Sequence, residues 1–136
     1  PRMNVEAIQM VYNRLQREPE ARMLPLCREL NLGVLARVPL ASGFLSGKYR
    51  PGHRFDPGEV RGVWFKPEEA DAMLEEVERI RREEVPEGVP IGRWALAWVL
   101  RHPAVSCVIP GVKDASQVRD NAAAVELIES GHPQDC

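Results

Sequence analysis

The chain has 136 residues, of which 44% are hydrophobic and 28% are charged, and 20 acidic and 18 basic side chains give it a net charge of −2. This composition is typical of a folded domain and excludes the disordered, collagen-like and coiled-coil classes. The balanced charge argues against a nucleic-acid-binding protein, which would carry a basic excess. The longest apolar stretches, 95–100 and 122–125, are far shorter than the roughly 20 residues of a membrane-spanning helix. We expect a single domain over 1–136 that binds neither nucleic acid nor membrane.

Cysteine is sparse and widely spaced, at Cys27, Cys107 and Cys136. An odd, dispersed set is unlike a disulfide framework and favours a reduced, cytoplasmic protein. The sequence contains no Cys-x-x-Cys or His-x-x-x-His pattern, so no metal site is predicted.

Strand and helix patterns alternate along the chain. Short apolar runs bounded by turn residues predict three strands, over 7–12, 33–38 and 105–109. Apolar residues at helical spacing predict four helices, over 18–30, 67–84, 91–101 and 115–129. The stretch 40–66 is predicted to be a long loop, and the polar tail 130–136 is predicted to be disordered. Apolar strands separated by helices favour parallel pairing in an α/β fold.

The tryptophans and histidines of the sequence are interpreted as core and surface residues, not as ligand-binding residues. Trp94 and Trp98 are four residues apart on a predicted helix, which is typical of core packing. The three histidines are His53, His102 and His132. None has an acidic or hydroxyl residue at a sequence spacing typical of a catalytic site, so we expect them on the surface.

Two segments that follow predicted strands carry groups suited to binding an anion. The segment 39–48 contains two glycines, two serines and Lys48. The segment 110–113 contains Gly111 and Lys113 and leads into a helix N-terminus, where free N–H groups favour an anion. Ligands of parallel α/β folds bind at the carboxyl ends of the strands. A glycine-rich loop is more often only a turn, but the pair of loops suggests a dinucleotide or another polyphosphate.

Four blocks of the sequence resemble the carboxyl-terminal part of the aldo-keto reductases. They are Gln9-x-x-Tyr12-Asn13, the run 33–49 (GVLARVPLASGFLSGKY), the run 95–100 (ALAWVL), and 108–111 (VIPG) followed by Gln117-x-x-x-Asn121. The resemblance covers residues 4–129 and implies a partial (β/α)8 barrel, in which this chain supplies the sixth to eighth strands. It also implies binding of NADP(H) in a family that reduces aldehydes and ketones.

The resemblance further implies thirteen cofactor-binding residues. Gln9 matches the glutamine that binds the nicotinamide carboxamide, and Arg37 stands where the family commonly stacks an aromatic ring on the nicotinamide, a role open to a planar guanidinium. The pyrophosphate loop is matched by Pro39, Leu40, Ser42, Gly43 and Lys48, followed by Arg61. The adenosine end is matched by Gly111, Lys113, Gln117, Asp120 and Asn121. Lys113 would meet a 2′-phosphate, which favours NADP over NAD.

The resemblance implies that the catalytic Asp, Tyr, Lys and His come from the first four strands, which this chain does not contain. We therefore expect no catalytic residue here and no carbonyl reduction by the 136 residues alone. Three strands would leave two edges and an apolar wall open, with Ala36, Val38 and Cys107 as candidates for uncovered residues. Two alternatives follow: a non-catalytic module that forms a homo-oligomer, or a half-barrel completed by a separate chain. Of these, only the completed half-barrel would bring a carbonyl substrate to reaction.

Overall fold

The computed structural model describes residues 4–129, so the predicted disordered tail, 130–136, lies outside the described residues. Three parallel strands form one sheet in the order β1 (Ala7–Val11), β2 (Gly33–Arg37) and β3 (Cys107–Ile109). The described helices are α1 (Met23–Glu29), α2 (Val60–Trp64), α3 (Pro67–Glu83), α4 (Ile91–Leu100), α5 (Ala115–Ala122) and α6 (Ala124–Glu129). None of these helices is long and apolar enough to cross a membrane. The predicted α/β architecture of three parallel strands with flanking helices is confirmed.

The predicted helix over 18–30 is divided into a 3₁₀ turn, Glu18–Ala21, and α1. Pro25 lies in the first turn of α1, where its missing N–H group is tolerated. In a continuous helix the Pro25 ring would clash with the carbonyl group four residues earlier, at Ala21. The regular helix therefore begins only at Met23.

Two further segments differ from the sequence prediction. The helix predicted over 115–129 is interrupted at Ala123, where ψ is −6° and the carbonyl group accepts from the Glu126 N–H at 3.2 Å. A hydrogen bond over three residues tightens the chain and separates α5 from α6. The loop predicted over 40–66 contains α2 and, within Ala41–Ser46, short 3₁₀ turns interrupted by a kink at Ser42 and Gly43.

One face of the sheet packs against the helices. Val34 and Ala36 of β2 are fully buried in the same core as Trp94 and Trp98, which confirms the core position of both tryptophans. The expectation that Ala36 is uncovered is wrong. Alternate residues of a strand share a face, and Ala36 shares the helix-facing side with Val34.

The opposite face of the sheet is more open. Gln9 and Arg37 are exposed, and Ile109, the register partner of Arg37, is 40% exposed. Cys107, on this face, and Val38, just beyond β2, are both half-buried, so neither is fully uncovered. In a closed barrel the equivalent face lines the interior.

Asn13 ties the end of β1 to the end of β2. Its side chain is fully buried, and its amide nitrogen donates to the Val38 carbonyl oxygen at 3.0 Å and to Gln16 Oε1 at 2.9 Å. Its Oδ1 accepts from the backbone N–H groups of Leu15 and Gln16, both at 3.0 Å. All of the polar atoms of this buried amide are therefore used.

Replacing Asn13 by alanine should lower the free energy of unfolding by about 1–3 kcal/mol, because it removes the hydrogen bonds that the buried amide makes with the Val38 carbonyl oxygen and with the Leu15 and Gln16 N–H groups. The measurement is urea unfolding followed by circular dichroism. Asn4→Ala, at an exposed position, serves as the control and should leave the stability unchanged. Equal stability of the Asn13→Ala and Asn4→Ala chains would contradict this account.

His102 is half-buried, so the expectation of a surface histidine holds only in part. Its ring lies edge-on to that of Tyr12, with centroids 5.6 Å apart, and its Nδ1 accepts from the Ala104 N–H at 3.2 Å. Burial lowers the pKa of His102, and the charge of Glu20 opposes this only partly. His53 is exposed, as expected, and His132 lies outside the described residues.

The lowered pKa of His102 predicts a loss of stability in mild acid. The unfolded chain, with a histidine pKa near 6.5, binds the proton more readily than the folded chain. This contribution to stability is complete above that value and is lost as the pH falls towards the folded pKa. The unfolding midpoint of His102→Gln should therefore depend less on pH between 7 and about 5 than that of the unmodified chain. If the unfolding midpoints of the two chains changed with pH at the same rate, His102 would not be the cause of the lost stability.

Candidate functional site

A cleft of about 750 Å³ opens at the carboxyl ends of β2 and β3. Its walls come from the chain that follows each of these strands, together with Arg61 and the beginning of α4. This end of a parallel sheet is where α/β folds bind their ligands. The position of the cleft is therefore that of a ligand-binding site.

The cleft brings together twelve of the thirteen residues predicted from the sequence. They are Arg37, Pro39, Leu40, Ser42, Gly43, Lys48, Arg61, Gly111, Lys113, Gln117, Asp120 and Asn121. Gln9 is not among the lining residues, because it lies earlier in β1 and pairs with Leu35. Since Val11 pairs with Arg37, Gln9 lies on the same open face as Arg37, one pleat repeat away.

The loop after β2 has an unusual backbone. Val38, Ala41 and Ser42 have φ values of 55°, 48° and 55°, and Gly43 has a φ of 93°. The left-handed region is unfavourable for residues with a Cβ atom, above all for β-branched valine. Strain of this kind persists only where the surrounding structure imposes it, and it is concentrated at ligand sites.

Hydrogen bonds from side chains hold this strained loop. In addition to the bond from Asn13, Arg61 Nη1 donates to the Ser42 carbonyl oxygen at 2.9 Å. Ser46 Oγ donates to the Gly43 carbonyl oxygen at 2.6 Å. The path of the loop is thus set by the protein itself, which reduces the ordering cost of binding a ligand.

Arg61 is held in place by aromatic rings. Its guanidinium carbon lies 5.1 Å from the centre of the Tyr49 ring and 5.4 Å from that of Phe55. These are cation–π distances. A Cβ atom at Gly43 would lie 3.2 Å from Arg61 Nη1, so the close approach favours glycine there. Arg61 Nε is buried and has no hydrogen-bond partner in the described part of the chain, as expected where a ligand completes a site.

The second wall begins at the N-terminus of α5. Asp114 caps this helix by accepting from the Gln117 N–H at 2.9 Å, and Gln117 Oε1 accepts from the Lys113 N–H at 3.0 Å. The Ser116 hydroxyl group, the Gln117 N–H and the charge of Lys48 lower the pKa of Asp114, in decreasing order of effect. Lys48 and Lys113 line the same cleft, which brings the loop after β2 and the loop after β3 to one site.

The charges around the cleft favour an anion. Its basic side chains are Arg37, Lys48, Arg61, Arg93 and Lys113. Asp120 is the one acidic side chain among the described lining residues. An excess of positive charge in a concave site attracts and orients phosphate groups.

Three polar residues of the cleft are not among the thirteen predicted cofactor-binding residues: Ser46, Tyr49 and Arg93. Ser46 is one of the two serines of the predicted anion-binding segment 39–48, whereas nothing in the pattern distinguished Tyr49 as a lining residue. For Arg93 a signal was present, because it is the one charged residue of α4 (IGRWALAWVL). A single charged residue on an apolar helix indicates either a position that faces solvent or a position in a ligand-binding site.

Comparison with known sequences adds independent information. Residues 1–130 match the Aldo/keto reductase family. "Aldo-keto reductase yakc" of Schizosaccharomyces pombe, whose name specifies NADP(+), is 29% identical over 90% of this chain. "NADH-specific methylglyoxal reductase" of Escherichia coli is 30% identical, also over 90% of this chain. The chain spans 38% of the length of each of these relatives.

Solved structures agree with the sequence match. The apo form of aldo-keto reductase AKR11C1 from Bacillus halodurans aligns with a TM-score of 0.68 and 30% identity, over 92% of this chain and 39% of that chain. The holo form of the same protein aligns with a TM-score of 0.67 and 31% identity, over 92% of this chain and 38% of that chain. The three parallel strands thus correspond to part of a (β/α)8 barrel. The chain belongs to the aldo/keto reductase family.

Proposed function

We propose that this chain is the NADP(H)-binding portion of an aldo-keto reductase. The observation that carries the proposal is the convergence of two loops, from β2 and β3, on one cleft with five basic side chains. Family membership supports a dinucleotide as the ligand. One relative is named for NADP(+) and another for NADH, so the preference for the 2′-phosphate depends on residues of this chain.

The residues of the cleft fit the parts of the dinucleotide. Lys48 and Arg61, with the loop that begins at Pro39, would hold the pyrophosphate, and the buried Nε of Arg61 would gain an acceptor. Arg37 would stack on the nicotinamide, with Gln9 binding its carboxamide from the same face of the sheet.

The adenosine end would be held by the loop after β3 and the start of α5. Lys113 would bind the 2′-phosphate, while Gly111, Gln117, Asp120 and Asn121 would surround the adenosine. When bound, NADPH supplies the hydride for the reduction of a carbonyl group.

We further propose that the chain forms the sixth to eighth strands of the barrel and that the proton-donating residues come from other strands. The two tyrosines of this chain support the proposal. The Tyr12 hydroxyl group is buried and donates to Glu20 at 2.7 Å, and the Tyr49 ring lies against the guanidinium group of Arg61. The Tyr12 hydroxyl group is thus already used in a structural contact, and the Tyr49 ring serves to hold Arg61, so we expect additional residues to supply the proton.

The open face of the sheet favours a second candidate, a half-barrel completed by another chain. Gln9 and Arg37 are exposed on this face and Ile109 is 40% exposed, although the equivalent positions of a closed barrel are interior. A separate chain carrying the first strands would cover this face and bring the catalytic residues. Self-association into a non-catalytic oligomer is the competing outcome.

The direct test of cofactor binding is a fluorescence titration of the 136-residue chain with NADPH. Trp94 and Trp98 provide the signal. We expect saturable binding in the micromolar range, with light scattering run in parallel to determine the assembly state. A folded chain that gives no saturable change would overturn the proposal.

Charge reversal at Lys113 should alter the choice of cofactor. Lys113→Glu places an acid where we propose the 2′-phosphate, so it should weaken the binding of NADPH by about tenfold or more and that of NADH far less. Lys66→Glu, an identical change at an exposed position outside the cleft, should leave both affinities unchanged. Equal losses for NADPH and NADH in the Lys113→Glu chain would refute the phosphate assignment.

Complementation tests the role of the missing strands. Mixing this chain with the separately made amino-terminal strands of a relative should restore oxidation of NADPH in the presence of an aldehyde, while neither part alone is active. Activity of this chain alone would show that it already holds a proton donor. Failure to recover activity in a stable complex would count against the half-barrel.

A further inference from the structure

Arg93 is the one charged residue of α4, a helix otherwise made of apolar residues and one glycine. Its side chain is 29% exposed and lines the cleft. Its Nε is buried and has no hydrogen-bond partner within 4–129. A partly buried guanidinium group with an unsatisfied N–H is unfavourable unless nearby charges compensate it.

Two carboxylates approach Arg93 from neighbouring helices. Asp120 Oδ1 of α5 lies 3.8 Å from Arg93 Nη2, and Glu126 Oε2 of α6 lies 4.0 Å from Arg93 Nη1. Both distances are those of ion pairs and are too long for hydrogen bonds. Of the two carboxylates, Asp120 lines the cleft and Glu126 does not.

The position of Asp120 conflicts with the binding of an anion. A carboxylate in the wall of a phosphate-binding cleft repels the ligand, and because the Asp120 side chain is 74% exposed, water and salt weaken this repulsion without removing it. Arg93 is the basic residue that the structure places at ion-pair distance from Asp120. Its charge can cancel the repulsion without occupying the hydrogen-bonding positions of the carboxylate.

We propose that Arg93 is a positioning residue that holds the Asp120 carboxylate in the cleft and offsets its charge. Asp120 then accepts a hydrogen bond from an N–H or O–H group at the adenosine end of the dinucleotide while phosphates bind close by. This inference rests on the proposed NADP(H) binding and adds a positioning residue to it.

A double-mutant cycle on the full chain tests this role, with adenosine 2′,5′-bisphosphate and NADPH as probes. Arg93→Gln should weaken the binding of the bisphosphate by about fivefold, and Arg93→Lys should restore most of the loss. In the Asp120→Asn background, where no charge needs to be offset, Arg93→Gln should cause a clearly smaller loss. The effect of Arg93→Gln should also shrink as salt is added.

Glu126→Gln is the matched control, because it removes the other carboxylate near Arg93 and should leave both affinities unchanged. The proposal is overturned if Arg93→Gln causes the same loss of affinity with Asp120 present as in the Asp120→Asn background, or if it causes no loss at all. If the unmodified chain binds both probes, the proposed function stands and the cycle alone decides the role of Arg93. If it binds neither, both proposals fall.

Discussion

The left-handed turn of the backbone at the end of β2 is the constraint on which the cleft depends. Val38 has a φ of 55°, a conformation that a β-branched residue rarely adopts, and Asn13 donates to its carbonyl oxygen at 3.0 Å. Asn13 is itself fully buried. The turn brings the chain that follows β2 into the wall of the cleft. The hydrogen bond from Asn13 to Val38, together with that from the Ala41 N–H to the same carbonyl oxygen, therefore holds the start of the loop after β2.

The cleft combines charges that lie far apart in the sequence. Lys48 follows β2, Arg93 lies on α4 and Lys113 follows β3, so the positive site exists only in the folded chain. Arg61 donates a hydrogen bond to the loop after β2, and its guanidinium group packs against the rings of Tyr49 and Phe55. Local contacts within the protein thus shape a positively charged cleft in the absence of a ligand.

Sequence patterns predicted the strands and the two loops of the cleft for physical reasons, whereas Arg37, Arg61, Gln117, Asp120 and Asn121 were expected only from the resemblance to the family. Apolar runs specify buried strands, and loops at the carboxyl ends of parallel strands converge, so the residues after β2 and β3 could be grouped in advance. The conformation of Val38 could not be predicted, because it opposes the local preference of valine and depends on the distant Asn13. The burial of Ala36 depends on which face of β2 the helices cover. Arg93 was missed because helical spacing does not reveal its neighbours on α5 and α6.

The central claim is that the two loops bind one dinucleotide, and backbone amide NMR of the chain during an NADPH titration tests it most directly. The account predicts saturable shifts for Gly43, in the loop after β2, and for Gly111 and Lys113, in the loop after β3, with a single dissociation constant. The amides of α3, which contributes no residue to the described walls of the cleft, should stay unchanged. Shifts confined to one loop, shifts centred on α3, or no shifts from a folded chain would contradict it.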